Sequence, residues 1–212
     1  MTIVAEPRAG DAGATEITEA ANGYVRIALD EFLALPKGPP YYEFEEGILI
    51  PMPRPHARHQ LIVAALIAVI WPHTMQRRLG RIWPEIEVVL PGRRRVYVPG
   101  LVYLTTAHLG RVQADGRLHG APDLVAEILS PSTRMRDRST KLQAYHQAGA
   151  RWYWLIEPED LTIEELEWTE RGYWVAQTVA PGQLFTPAIF PDLALDLPTL
   201  IGEPVKVEAA DE

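Results

Sequence analysis

Pro122-Asp123-Leu124-Val125-Ala126-Glu127-Ile128-Leu129-Ser130 is a short, nearly all-apolar run with one acid inside it. Such a run fits a strand buried on both faces, as in the parallel part of a sheet. Glu127 interrupts it. A carboxylate there is costly to desolvate unless something pairs with it. It reads either as a strand-end acid turned to solvent or to an arginine, or as a site residue, because perturbed buried acids gather at sites.

The neighbouring segments extend the pattern. Residues 152–156 form a second apolar strand. Residues 137–148 read as a helix ending near Gly149, where a glycine suits the left-handed cap. Upstream, residues 81–90 and 96–104 read as two strands joined by Pro91-Gly92 and three arginines. Residues 56–78 are the longest helical candidate, with Leu61, Ile62, Ala65, Leu66, Val69 and Ile70 at three- and four-residue spacing. Pro72 is expected to kink or interrupt it. Residues 28–35 read as a short helix stopped by the proline-rich run that follows, and residues 41–45 and 48–52 as a hairpin around Glu46-Gly47. Residues 161–168 and 173–178 suggest a second hairpin. Leu193, Leu195, Leu197 and Leu200 are expected to pack back on the core.

These mixed strands, with a long helix before them and a shorter helix between the central ones, make an α/β (α+β) fold class. The expected organisation is a flexible arm over residues 1–22, a single domain over 23–205 and an acidic tail over 206–212.

The chain has 212 residues, no cysteine and a net charge of −8. The lack of cysteine excludes a disulfide scaffold, a thiolate metal site and a cysteine nucleophile, and it suits a reducing, cytoplasmic compartment. The N-terminus shows no basic segment followed by an apolar run, so no signal peptide is expected. No apolar stretch is long enough to span a bilayer. The acidic total hides an asymmetry. Residues 51–150 hold 14 Lys/Arg and 6 Asp/Glu, whereas residues 151–212 hold 3 and 13. A phosphate backbone requires a local positive surface, not a positive average, so DNA remains an eligible partner.

Several side chains carry candidate chemistry. Lys141 shares a helix face with Tyr145 and also with Asp137, so it reads either as a site cation or as a surface ion pair. Asp123 is either a turn residue or a supporting acid. It cannot share one ion with Glu127, because strand residues four apart are separated by roughly 13 Å. His59 and Gln60 open the long helix, where an anion can bind, or where they simply cap it. No second histidine pair with zinc spacing exists. Glu43 and Glu45 lie on one face of the early hairpin, and either could reach a metal or face solvent. Arg93, Arg94 and Arg95 are a solvated turn or a contact to a DNA backbone.

Taken in order, Tyr42-Glu43…Gly47, His59-Gln60, Val98-Pro99-Gly100-Leu101-Val102 and Ala121-Pro122-Asp123-Leu124-Val125-Ala126-Glu127-Ile128-Leu129-Ser130-Pro131-Ser132-Thr133 resemble the Uma-two family, described as restriction endonucleases. Asp137, Lys141, Tyr145, Gly149 and Trp152-Tyr153-Trp154-Leu155-Ile156 continue the likeness, which covers about residues 25–200. The resemblance implies the PD-(D/E)XK nuclease fold: a restriction-endonuclease-like mixed central sheet flanked by helices. It also implies a site for Mg²⁺ or Mn²⁺, with DNA as substrate. In that pattern Glu127 is the second acid and a metal ligand, and Glu43 an early acid that completes the site. Lys141 replaces the usual strand lysine, whose place holds Leu129. His59, Gln60, Asp123 and Tyr145 are supporting positions. The first acid of the Pro-Asp motif is absent, because Gly100 stands there. Two sites would cut two strands more readily than one, so a homodimer is also expected.

Overall fold

The computed structural model describes residues 18–19, 25–92 and 94–203. The expected arm and acidic tail fall outside these residues, apart from the two-residue strand β1 (Thr18–Glu19). The chain divides into two compact units, one ending at Met52 and the other beginning at Pro53.

The first unit contains β1, β2 (Val25–Arg26), α1 (Leu29–Ala34), β3 (Tyr42–Glu45) and β4 (Ile48–Pro51). The strands pair antiparallel in the order β1-β2-β4-β3. Glu46 and Gly47 both have positive φ, 51° and 84°, which is what a two-residue hairpin loop of type I′ requires. Glu31 opens α1 by accepting the Ala28 N–H at 2.9 Å. The helix stops before Pro36, and its Phe32 packs 5.4 Å from Phe44. Glu43 and Phe44 are neighbours on β3, and both are buried.

The second unit begins with α2 (Ala57–Gln76) and continues through β5 (Gly80–Pro84), β6 (Val88–Val89), β7 (Arg95–Tyr97), β8 (Leu101–Thr105), a 3₁₀ turn (Thr106–Arg111) and β9 (Leu118–His119). There follow β10 (Leu124–Ile128), a helical segment, β11 (Trp152–Ile156), β12 (Ile163–Thr169), β13 (Gly172–Val179) and the short helix α5 (Leu197–Leu200). The helical segment has three parts: α3 (Arg134–Arg136), a π-helical turn (Asp137–Lys141) and α4 (Leu142–Ala148). Gly149 closes it at φ 85°.

Six of these strands form a sheet ordered β13-β12-β11-β10-β8-β5. β10 and β11 run parallel, and the other neighbours run antiparallel. Every residue of β10 and β11 is buried, as expected of strands covered on both faces. β6 pairs antiparallel with β7 and parallel with β9.

Two expectations are corrected. Residues 81–90 and 96–104 each form two strands, not one. β5 pairs with β8, while β6 pairs with β7. The breaks fall at Pro84-Glu85, where Glu85 takes φ 46°, and at Pro99-Gly100. Proline cannot donate to a ladder, so each break lets the chain change direction. The second correction is the interruption expected at Pro72, which lies inside the continuous helix α2. Proline leaves the carbonyl four residues back unbonded. That residue is Ala68, and both positions lie on the exposed side of the helix and not in the core.

The six-stranded sheet separates two cores. On one face Ile62, Leu66 and Ile70 of α2 meet Leu124, Ala126, Ile128 and Trp154; Leu193, Leu195 and Leu197 pack back as expected, with Leu200 partly buried, and Phe185 and Phe190 join them. On the other, Ala144 and Tyr145 of α4 meet Val102, Val125, Leu129, Tyr153 and Leu166.

Candidate active site

The alternation along β10 decides where Glu127 points. Leu124, Ala126 and Ile128 belong to the α2-side core, and Val125 and Leu129 to the α4-side core. A strand places every second residue on one face, so Glu127 faces α4. There Lys141 Nζ donates to Glu127 Oε1 at 3.2 Å. The same ammonium lies 3.2 Å from Asp137 Oδ1. Glu127, Lys141 and Asp137 are 4%, 3% and 2% exposed, so none of these charges is left to water.

The local helix geometry supports this convergence. Residues 137–141 are π-helical; single π turns inside helices frequently mark functional sites. Ser139 Oγ bonds back to the Met135 carbonyl, a contact that bends helices. Tyr153 Oη donates to the Asp137 carbonyl at 2.9 Å. Burial, reinforced by the charges of Glu127 and Asp137, raises the Tyr153 phenol well above its ordinary value, so it remains a neutral donor. Lys141 Nζ also sits 5.7 Å from the centre of the Tyr97 ring, a cation–π distance. Tyr145 packs between Tyr97 and Tyr153 in tilted contacts, with ring centres at 5.8 and 5.7 Å. It is part of the aromatic wall of the site.

His59, in the first turn of α2, is half-buried. Burial lowers its imidazole below the ordinary value, while Glu85, Asp137 and a hydrogen bond to the Ile128 backbone push the other way. These interactions tie His59 to the end of β10 and to Asp137. Gln60, one residue on, is exposed.

Gly100 precedes β8 and is buried. Continuing the β8–β10 register, in which Leu101 faces Ala126, sets Gly100 opposite Glu127. A Cβ at Gly100, however, would lie 2.6 Å from Ile128 Cδ1 and 3.3 Å from the Ala126 carbonyl oxygen. Its three nearest atoms belong to Ile128 and Ala126, not to Glu127. The glycine therefore allows a close approach to β10. Its carbonyl accepts the Glu85 N–H at 3.4 Å.

Asp123 lies at the opposite end of β10, with its carboxylate engaged in local contacts. It accepts from the Thr105 N–H at 2.8 Å and the Thr105 hydroxyl at 3.1 Å, and it meets His108 Nδ1 at 2.8 Å. It holds the start of the 3₁₀ turn. Glu43 is buried in the first unit's hairpin.

The charge asymmetry of the sequence is partly consumed within the fold. Arg134 pairs with Glu157 at 2.5 Å, Arg138 with Glu157 and Glu164 at 3.2 and 2.9 Å, and Arg58 with Glu203. Each pair joins the basic stretch to the acidic third. Two residues near the site carried little sequence signal. Asp137 stood as a possible surface partner for Lys141 and as a position within the family likeness, without a role at the site. Glu85 carried none.

Among the described residues, no group of three or more His, Asp or Glu side chains is arranged to hold a metal ion. The buried pair Glu127 and Asp137 does offer hard oxygen donors, and Asp137 Oδ1 makes no hydrogen bond. Mg²⁺ is commonly held by one or two carboxylates completed by water and substrate phosphates. The chemistry of the donor set fits such an ion.

The mixed sheet, its helical crossover and the buried acid–lysine pair define a restriction-endonuclease-like fold. Residues 29–198 match the family described as "Uma2: Putative restriction endonuclease", and the chain belongs to that family. A crystal structure titled as a "putative nuclease belonging to DUF820" from Anabaena variabilis ATCC 29413 superposes with a TM-score of 0.67 at 26% identity. The match covers 82% of this chain and 97% of that one. No curated protein matches.

Proposed function

We propose that this protein is a metal-dependent endonuclease that hydrolyses DNA phosphodiester bonds slowly, with Glu127 and Lys141 as its catalytic residues. The observation that carries this reading is the buried 3.2 Å contact between Lys141 Nζ and Glu127 Oε1, within a nuclease family. Glu127 is the residue that would hold Mg²⁺ or Mn²⁺, and such an ion polarises a phosphate and lowers the pKa of an attacking water. Lys141 is a buried ammonium fixed by two carboxylates. It can orient that water or stabilise charge developing on the phosphorus oxygens. His59, kept neutral by burial, can accept a proton at the helix end. Tyr97, Tyr145 and Tyr153 exclude water from the rear of the site.

Gly100 supports a second reading, a catalytically silent member that still binds nucleic acid. It supplies no ligand, and a side chain there would collide with Ile128. The two readings separate on supercoiled plasmid incubated with Mg²⁺ or Mn²⁺. Nicking that disappears in Glu127→Ala supports the enzyme. Salt-sensitive DNA binding without nicking supports the silent form. Nicking that survives Glu127→Ala sinks the first reading.

We also propose a homodimer through α2. Residues 60–76 contain no Asp, Glu, Lys or Arg. While Ile62, Leu66 and Ile70 face the core, Leu61, Trp71 and Met75 are 46%, 43% and 42% exposed, with Ala64 and Ala68 exposed between them. Their 3-4-3-4 spacing is that of a helix–helix seam. A twofold axis at Ala68 sets Leu61 near the partner's Met75 and Ala64 near the partner's Trp71. Trp71 then meets the partner's Ala64, and Leu61 the partner's Met75, over a face with no Asp, Glu, Lys or Arg to bury, so the patch can pack on itself. Among the described residues no helix is long and apolar enough to cross a membrane. A cytoplasmic location is the reading that the cysteine-free composition supports.

A further inference from the structure

We propose that Asp137 is the second carboxylate of the divalent-cation site, sharing the ion with Glu127 and taking over the task that an acid at position 100 would perform. The proposal rests on the nuclease reading for its context but can fail separately from it. Four observations point the same way. Asp137 is 2% exposed, so folding has removed its carboxylate from water, a costly step unless a cation compensates. Its Oδ1 makes no hydrogen bond, although it touches Lys141 Nζ at 3.2 Å. It thus makes an ion-pair contact and retains a lone pair for coordination. The π-helical turn that begins at Asp137 ends at Lys141, so the helix is distorted at the place where both side chains turn inward. Finally, Tyr153 Oη fixes the Asp137 carbonyl, which holds the backbone of the acid against β11.

The charge count of this trio explains the arrangement. Two carboxylates and one ammonium carry one net negative charge. Lys141 Nζ stands 3.2 Å from an oxygen of each acid, so it serves as a monovalent counter-ion between them. A hard divalent cation would satisfy the same two oxygens more completely, with water completing its shell. Lys141 would then be released from bridging the acids and become available to a phosphate. Gly100 is compatible with this arrangement, because the second acid comes from the helix instead of from the start of β8.

The test is Mn²⁺ binding to the full chain without DNA, followed by calorimetry and by electron paramagnetic resonance of free Mn²⁺. The expected result is one bound ion, weakened at least tenfold in Asp137→Asn and equally in Glu127→Gln. Lys141→Met, which removes the competing ammonium, should bind Mn²⁺ at least tenfold more tightly. It should also show a larger Mn²⁺-induced rise in melting temperature than the wild type. That rise keeps the question open to measurement even if Asp137→Asn fails to fold. Unchanged affinity in folded Asp137→Asn, or no tightening in Lys141→Met, overturns the proposal, as does a wild-type chain that binds no Mn²⁺. A chain that binds Mn²⁺ through both acids yet leaves plasmid intact upholds the site and overturns only the nuclease reading.

Discussion

Lys141 and Asp137 lie at the two ends of one π-helical turn, and their side chains meet at 3.2 Å inside the protein. With Glu127 they form a buried trio in which the lysine is the only cation. Removing it should leave two carboxylates facing each other without water. Lys141→Met is expected to destabilise the fold by about 3–5 kcal/mol, the usual cost of breaking a buried pair by deleting one partner. Urea unfolding at neutral pH measures this. A loss below about 1 kcal/mol, the range of a solvent-exposed pair, would contradict the buried arrangement.

Gly100 is held to glycine by Ile128. Gly100→Ala should cost about 1–3 kcal/mol through overpacking against Ile128 Cδ1. Ile128→Val removes that methyl and alone should cost about 0.5–1.5 kcal/mol. The two changes should be non-additive, with the double variant more stable than the sum of the single losses. Strict additivity in a double-mutant cycle would show that the close approach is not what constrains this position.

His73 offers a pH test. It is buried on α2, edge-on to Phe190 at 6.2 Å. Burial, helped by Arg77, lowers its imidazole below the ordinary value, while Asp192 and a backbone hydrogen bond to Pro191 oppose this. A base with a lowered folded value protonates first in the unfolded chain. Stability is therefore full above the unfolded value, near 6.5, and declines as the pH falls below it. His59 acts with the same sign. Melting temperature should fall between pH 7.5 and 5.5, and His73→Leu should reduce that fall. An unchanged slope in His73→Leu would assign it to other groups.

The α2 surface makes a prediction about assembly. Trp71→Glu places a charge in the middle of a charge-free seam and should convert dimer to monomer in sedimentation equilibrium, without lowering the melting temperature of the monomer. A wild type that is monomeric at all accessible concentrations would remove the dimer.

Much of the fold was legible because its signals are local. Residues 152–156 are apolar throughout, and the strand occupies these same positions. Glu46-Gly47 has the residues a tight hairpin needs. Gly149 ends its helix in the left-handed conformation. The errors lie where tertiary context overrides local preference. Pro72 stays inside α2, on the side of the helix away from the core, where the hydrogen bond it removes is not in a packed interior. The strand pairs on either side of Pro91-Gly92 divide because Pro84-Glu85 and Pro99-Gly100 let the chain change partners, which strand propensity does not report. At the site, Glu127 was legible as the acid that breaks an apolar run. Asp137 was not, since an acid four residues before a lysine on a helix is the ordinary pattern of a surface pair. Only the burial of both side chains distinguishes it. Glu165 was silent for a related reason. It is fully buried and accepts from Trp154 Nε1 at 3.1 Å and Gln177 Nε2 at 2.6 Å, partners that converge only after β12, β11 and β13 have paired.

The most direct measurement is the initial rate of Mn²⁺-dependent nicking of supercoiled plasmid by wild type and Glu127→Ala. Slow nicking by the wild type and none by Glu127→Ala is the predicted result. Equal rates in the wild type and Glu127→Ala would contradict a nuclease site built on Glu127.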